Sequence, residues 1–293
     1  MNEAAERRYR TRMGKVLEYI DARLDEPLDL DRLSAAAAFS KYHFHRQFRA
    51  LYGESVFRYV VLRRLHRAAY ELAFRRQRSI LHIALGCGYE GAEAFARAFK
   101  KHVGQTPSQF REQPRWDTWW STYDIVSDIR SKHMRFRFKP DDVKIVCVPD
   151  TKVAAFEHRG DPRRIGDSIR AFVEWRKQHK LHPSRYATYN IFYTDEDIEP
   201  AAFRMDLCVA VDSEIEPNAE GIVNKVIPAG RCAVLRHVGS DETLDGAIRS
   251  LYVDWLPNSG EEPRDFPLYL QRITFFPDVP EHEAVSDIFL PLR

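Results

Sequence analysis

Tyr42, His45, Arg46 and Arg49 follow one another at steps of three, one and three residues. That spacing puts them on one face of a helix whose other face carries Phe44, Phe48 and Leu51. The four side chains have the chemistry of a base-reading surface. An arginine donates two hydrogen bonds to guanine O6 and N7, an imidazole and a phenol reach base edges, and a second arginine holds a phosphate. The pattern returns 51 residues later. FHRQFRALYGES (44–55) aligns with FARAFKKHVGQT (95–106), matching Phe44, Arg46, Phe48, Gly53 and Ser55 to Phe95, Arg97, Phe99, Gly104 and Thr106. In the second copy Phe95, Phe99 and Val103 form the core stripe. Glu93, Arg97 and Lys100 face outward beside Ala92 and Ala96, with Lys101 at the phosphate-facing end. Glu93 can accept from a cytosine amine and the alanines can meet thymine methyls. A single charged helix face is ordinarily only solvated surface. Two in register, each behind a short helix and turn, point to a pair of groove-reading units.

Other chemistries find little support. His43 and His45 are two apart and diverge on a helix, while His82 and His102 have no carboxylate or cysteine at ligand spacing, so no metal is expected. His158 and His237 each end an apolar run before a Gly, where a strand-end hydrogen bond is the expected role. GxSxG, HExxH and a P-loop are absent, the glycines of GCGYEG (86–91) read as a turn within a helix-turn-helix rather than a phosphate cradle, and Asp206 and Asp287 match by duplication, which argues for structure rather than a catalytic dyad. No enzyme and no cofactor is expected. Cys87, Cys147, Cys208 and Cys232 show no ligand spacing or disulfide framework; Cys147 and Cys208 lie in apolar runs and read as small hydrophobes. No apolar stretch approaches 18 residues, and MNEAAERRYR lacks a signal-peptide core, so the expectation is a cytoplasmic chain with no membrane partner.

The elements that must position these residues divide at about residue 113. The 293 residues suffice for two domains. Lys and Arg outnumber Asp and Glu by 22 to 13 through residue 115, and are outnumbered by 30 to 23 after it. A basic front and an acidic back suit a nucleic-acid module joined to something that avoids nucleic acid. Apolar periodicity, Ser40, Ser55 and Ser79 as N-caps, Gly53 as a stop and Pro107 at a first turn predict seven helices and no strand up to residue 113. Trp116, Trp119, Trp120 and Tyr123 crowd a polar segment read as a connector (114–140). From residue 141, period-2 runs such as VKIVCV (143–148), MDLCVAV (205–211) and DIFLPL (287–292) alternate with helical patterns at 162–179 and 241–256, giving an α+β domain over 141–293.

The back half is duplicated too. VPDTKVAAFEHRGD (148–161) aligns with IPAGRCAVLRHVGS (227–240), Ile165 with Leu244, Trp175 with Trp255, and MDL (205–207) with SDI (286–288). Two β-β-α-β-β units of this size are expected to pack as a pseudo-twofold pair, with a small-molecule pocket in the seam. The expected pocket residues are Asn190 and Phe192 on one strand and Leu268 and Leu270 on another, Asn190 opposite Leu270, with Tyr252 and Trp255 closing the side.

Residues 13–111 resemble the DNA-binding domain of AraC/XylS-type transcriptional regulators. The resemblance is carried by SKYHFHRQFRALYG (40–53), RRLHRAAYEL (63–72) and ILHIALGCGYEGAEAFARAFKKHVGQTPSQFR (80–111). It implies two helix-turn-helix units joined by a long helix over residues 1–113, entering successive major-groove segments. The implied base readers are Tyr42, His45 and Arg46, then Ala92, Glu93 and Arg97. Residues 141–293 resemble a GyrI-like effector-binding domain through VAAFEHRGD (153–161), RMDLCVAV (204–211), IPAGRCAVLRHVG (227–239), LYVDWLPNSGEEPRDFPLY (251–269) and SDIFLPL (286–292). Such domains take hydrophobic, often cationic, molecules, and many place a buried glutamate where this chain has Leu270. That departure favours a neutral apolar effector.

The expected protein is thus multidomain: an all-α double helix-turn-helix domain, then an α+β domain of two pseudo-twofold-related repeats. The expected function is transcription regulation, with promoter DNA, a small-molecule effector and RNA polymerase as partners and DNA bound by a monomer. The competing readings are a GyrI-like hydrolase of strained electrophiles, or a ligand-sequestering protein that its front half merely localises.

Overall fold

A computed structural model describes residues 3–131, 139–194 and 199–293. The chain divides into two compact units, one of residues 1–135 with 280–282 and one of residues 136–279 with 283–293.

The first unit is helical: α1 (Glu3–Asp21), α2 (Leu30–Ala36), α3 (Lys41–Tyr52), α4 (Val56–Phe74), α5 (Ile80–Gly86), α6 (Ala92–Val103), α7 (Pro107–Glu112) and α8 (Trp116–Ser131). The first seven answer the seven read from the sequence. Local chemistry sets their ends. The hydroxyls of Ser55 and Ser79 accept from the amides of Arg58 and His82, and Thr106 and Gln109 form a reciprocal capping box before Pro107. Ser40 precedes α3 with extended backbone but makes no side-chain cap bond. Gly53 and Gly104 end α3 and α6 at φ of 77° and 75°, a left-handed turn that a side chain would strain.

Two hydrophobic cores fill the unit. Met13, Val16, Leu17, Leu33, Phe44, Phe48, Tyr59 and Leu62 belong to the first; Leu65, Leu72, Ile83, Phe95, Phe99, Val103 and Phe110 belong to the second. The duplicated phenylalanines thus anchor one reading helix in each core, each ring contributing about 1.5–3 kcal/mol by its burial. The segment expected to be a connector is instead α8, a buried helix. Trp116 and Trp119 lie in the second core, and Val126 and Ile129 in the first. Its aromatics pack on Tyr70, Phe74 and Phe110 and on one another, within the first unit.

The second unit is one eight-stranded antiparallel sheet: β1 (Val143–Val148), β2 (Thr151–Arg159), β3 (Thr188–Phe192), β4 (Arg204–Ala210), β5 (Val223–Ile227), β6 (Gly230–Val238), β7 (Tyr269–Thr274) and β8 (Val285–Pro291), ordered β1-β6-β8-β7-β3-β4-β2-β5. Exchanging the two repeats reverses that order and leaves it unchanged, as a pseudo-twofold through the β3–β7 seam requires. Each repeat lends its first strand to the edge of the other, β1 to β6 and β5 to β2. Helix α9 (Ile165–Gln178) packs on Ala154, Leu207 and Val209; α10 (Leu244–Ser250) packs on Ala233, Leu235 and Leu270. A π-helical turn (Leu251–Trp255) leads from α10 into α11 (Leu256–Ser259). There the Leu256 amide donates to the Leu251 carbonyl five residues back, just before Pro257, which has no amide hydrogen to donate.

The apolar run around Cys147 had suggested a buried thiol, but Cys147 is exposed because β1 is an edge strand. Cys87 and Cys208 are buried; burial pushes the Cys87 thiol up to about 12.

Candidate nucleic-acid interface and ligand face

Helix α3 turns Phe44 and Phe48 inward and leaves Tyr42, Arg46 and Arg49 exposed, Tyr42 at 78%. His45 is half-buried, its ring 6.4 Å from that of Phe57 at the start of α4. Lys41, which the sequence reading passed over, is tied to Asp31 at 3.4 Å and lies 6.0 Å from the Tyr42 ring. On α6, Glu93, Arg97, Lys100 and Lys101 are exposed and Ala92 is half-buried. Glu93 and Arg97 approach to 3.9 Å, with side chains 95% and 75% exposed. Such a pair holds almost nothing in water, so Arg97 is free to exchange Glu93 for a base. Most of the side chains expected on the two faces are therefore exposed, one set over each core.

Behind these faces lies a buried charge cluster. Asp21 of α1 accepts from Arg63 Nε of α4 at 2.8 Å and from Arg130 of α8. Burial alone would raise the Asp21 carboxyl, yet the guanidiniums of Arg130 and Arg63 hold it below the usual carboxylate range. His66, also buried, packs against the Trp119 and Tyr123 rings at 5.1 and 5.2 Å. The Thr122 hydroxyl donates to the Trp119 carbonyl, so His66 Nε2–H donates to Thr122 at 3.4 Å. Burial first, then Arg63 and Arg130, drives the His66 pKa well below its ordinary value, and the ring is neutral.

In the second unit, Asn190 pairs with Leu270 across the β3–β7 seam, the register expected from the repeats. The surroundings are largely packed core. Leu268, Leu270 and Trp255 are buried with Ala233, Leu251, Ile288 and Leu290, and Phe192 packs against them. Asn190 is buried and accepts from Arg272 Nε at 2.9 Å, and Tyr252 is 42% exposed on the π-helical turn. These six expected ligand residues lie on or over the helix-covered face of the sheet.

The opposite face carries their neighbours. Tyr189, Ile191, Cys208, Cys232, Tyr269 and Phe289 share one apolar cluster, which among the described residues contains no helical side chain. Tyr269 stacks on Phe289 at 4.8 Å and 5°, and Tyr189 meets Tyr269 edge-on at 6.2 Å. At one end Asp206, fully buried, accepts from the Tyr193 hydroxyl at 2.9 Å and from Lys225 Nζ at 2.6 Å. Burial, reinforced by that bond to Asp206, raises the Tyr193 phenol and keeps it a neutral donor. The pseudo-twofold mate, Asp287, is gripped by Arg236 through two bonds of 2.7 and 2.8 Å. Both aspartates are thus ion-paired supports of the sheet. His158 and His237 make the strand-end bonds expected of them, to Ser168 at 2.7 Å and Thr243 at 2.8 Å. Among the described residues no His, Cys, Asp and Glu gather in a metal-binding group, and no helix is long and apolar enough to cross a membrane.

A double helix-turn-helix unit with two basic reading faces, followed by a pseudo-twofold sheet unit, defines the class: a DNA-binding transcriptional regulator with an appended small-molecule-binding domain. Residues 141–293 match the GyrI-like small molecule binding domain and residues 33–113 an AraC-type helix-turn-helix domain. The chain belongs to the GyrI-like family. It is similar to the probable transcriptional regulator YgiV of Escherichia coli, 33% identical over 153 residues, which are 52% of this chain and 96% of that one. It is also 38% identical over 136 residues to the right origin-binding protein of Escherichia coli, covering 46% and 44% of the two chains. With the regulatory protein SoxS of Salmonella typhimurium it shares 34% identity over 98 residues, covering 33% and 91%.

Proposed function

We propose that the chain binds promoter DNA as a monomer through α3 and α6, acts there on transcription by RNA polymerase, and responds to a small aromatic molecule held on the face of its sheet opposite the helices. The observation that supports the reading most is the repetition of one reading helix on two separate cores, each copy with its arginine outward. Arg46 and Arg97 each read a guanine, Tyr42, His45, Ala92 and Glu93 contact neighbouring bases, and Arg49, Lys100 and Lys101 hold phosphates. The ligand lies among Tyr189, Tyr269 and Phe289. The carboxylates of that face are already neutralised by Lys225 and Arg236, so it offers stacking without a free countercharge, and a neutral aromatic fits it better than a cation. Regulation of this kind needs no turnover, and it places the chain in the cytoplasm with the promoter.

The experiment is selection of an operator from random duplex DNA, followed by titration at several salt concentrations. Arg46→Ala and Arg97→Ala should each weaken binding by about 1–3 kcal/mol and relax the sequence preference at one position. Loss of Lys100 or Lys101 should weaken all sequences alike and reduce the salt slope. Unchanged specific binding by Arg97→Ala would remove α6 as a reader.

A further inference from the structure

Helix α8 crosses both cores of the DNA-binding unit. Its first half gives Trp116 and Trp119 to the core that holds α6; its second half gives Val126 and Ile129 to the core that holds α3. Helix α4 spans the same two cores in the opposite sense, with Val56, Tyr59 and Leu62 in the α3 core and Leu65, Ala69 and Leu72 in the α6 core. Two helices packed side by side thus bridge the reading units. They are joined midway by His66 against Trp119 and Tyr123, and toward the α8 C-terminus by Arg63 and Arg130 on Asp21.

One bridging helix is a hinge as much as a link, because a helix bends gently and each core can rock about its end. A second, packed along the first, removes that freedom. We propose that α8 is a positioning element for DNA recognition: it fixes the separation and twist between α3 and α6, and so selects the spacing of the two half-sites in the operator. This rests on the reading that both helices contact bases. One inserted base pair moves the second half-site by about 3.4 Å and turns it by about 35°, since a turn of B-DNA holds about 10.5 base pairs in 34–36 Å. A rigid pair of readers cannot follow both displacements, and a hinged pair can.

Asp124 is exposed on α8 between its two halves. Proline there deletes one helical bond and kinks the helix while every core side chain keeps its identity, whereas Asp124→Ala keeps the helix straight. The full-length protein is titrated against its selected operator and against the same operator with one base pair inserted or deleted between the half-sites. Wild type and Asp124→Ala should lose about tenfold or more at either altered spacing, the cost of a misplaced contact. Asp124→Pro should bind all three within about threefold of one another, with its salt slope unchanged. Should Asp124→Pro fail to fold, the double variant Val126→Ala, Ile129→Ala loosens the same end of the bridge and takes its place. A loosened, folded protein that keeps the wild-type spacing preference overturns the proposal. If Arg97→Ala binds the selected operator as wild type does, the two-reader premise has failed instead, and α8 has no second reader to position.

Discussion

His66 shows how a residue can look functional and be structural. A histidine among arginines in a DNA-binding unit invites a reading as a phosphate contact, but its ring is buried behind the reading faces and held neutral by desolvation and by Arg63 and Arg130. Its consequence is a pH dependence of stability. Because the folded-state pKa is depressed, the unfolded chain binds the proton first. The stability tied to neutral His66 is complete above the unfolded pKa of about 6.5 and is lost as pH falls below it, by up to about 1.4 kcal/mol per pH unit. Denaturant titrations at pH 7.5, 6.5 and 5.5 should show wild type losing more stability than His66→Gln across that window. Parallel losses would mean that the ring takes up its proton without unfolding.

At the scale of elements, the two faces of the sheet behave oppositely to substitution. Leu270 is fully buried beneath α10, so Leu270→Glu puts a carboxylate into a packed apolar core, and destabilisation of several kcal/mol is expected. Tyr189→Ala, half-buried on the opposite face, should leave the melting temperature within a few degrees while weakening a bound neutral aromatic by about tenfold, the scale of one lost ring contact. Thermal shifts of the two variants with a matched neutral and cationic pair of aromatic compounds check both expectations. Wild-type ligand response in Tyr189→Ala would place the ligand elsewhere. This is also where the sequence ran out. Alternation correctly paired Asn190 with Leu270 and grouped the residues of each face, but it does not say which face the helices cover. Both faces of this sheet are apolar, one because helices pack on it and the other because it carries Tyr189, Tyr269 and Phe289. Helix α8 was legible too, since Trp116, Trp119, Trp120, Tyr123 and Val126 recur at helical spacing, but the polar residues between them led the segment to be read as a connector. Helices α3 and α6 were legible because each faces a single core, and the duplication showed which positions were kept for packing.

For the whole molecule, the decisive count is of reading helices per chain. A protein with one helix-turn-helix obtains its second half-site by dimerising, and its operator repeats the twofold symmetry of the dimer. In the proposed reading this chain carries two non-identical readers, Tyr42, His45 and Arg46 on α3 and Ala92, Glu93 and Arg97 on α6. On that proposal one copy would occupy two successive major-groove segments, and the two half-sites would differ in sequence because the side chains differ. The excess of basic residues before residue 116 and of acidic residues after it confines nonspecific attraction to the front of the chain and discourages the back domain from lying on DNA. A single copy should therefore protect an asymmetric site of about 20 base pairs, two turns of about 10. The stoichiometry in sedimentation or mass photometry should be one chain per duplex. Inverting one half-site should abolish high-affinity binding, since α6 would then face a sequence written for the other strand. Cooperative binding of two chains, with a palindrome required, would mean that α6 serves as a support rather than a reader, and that the second half-site is supplied by another copy.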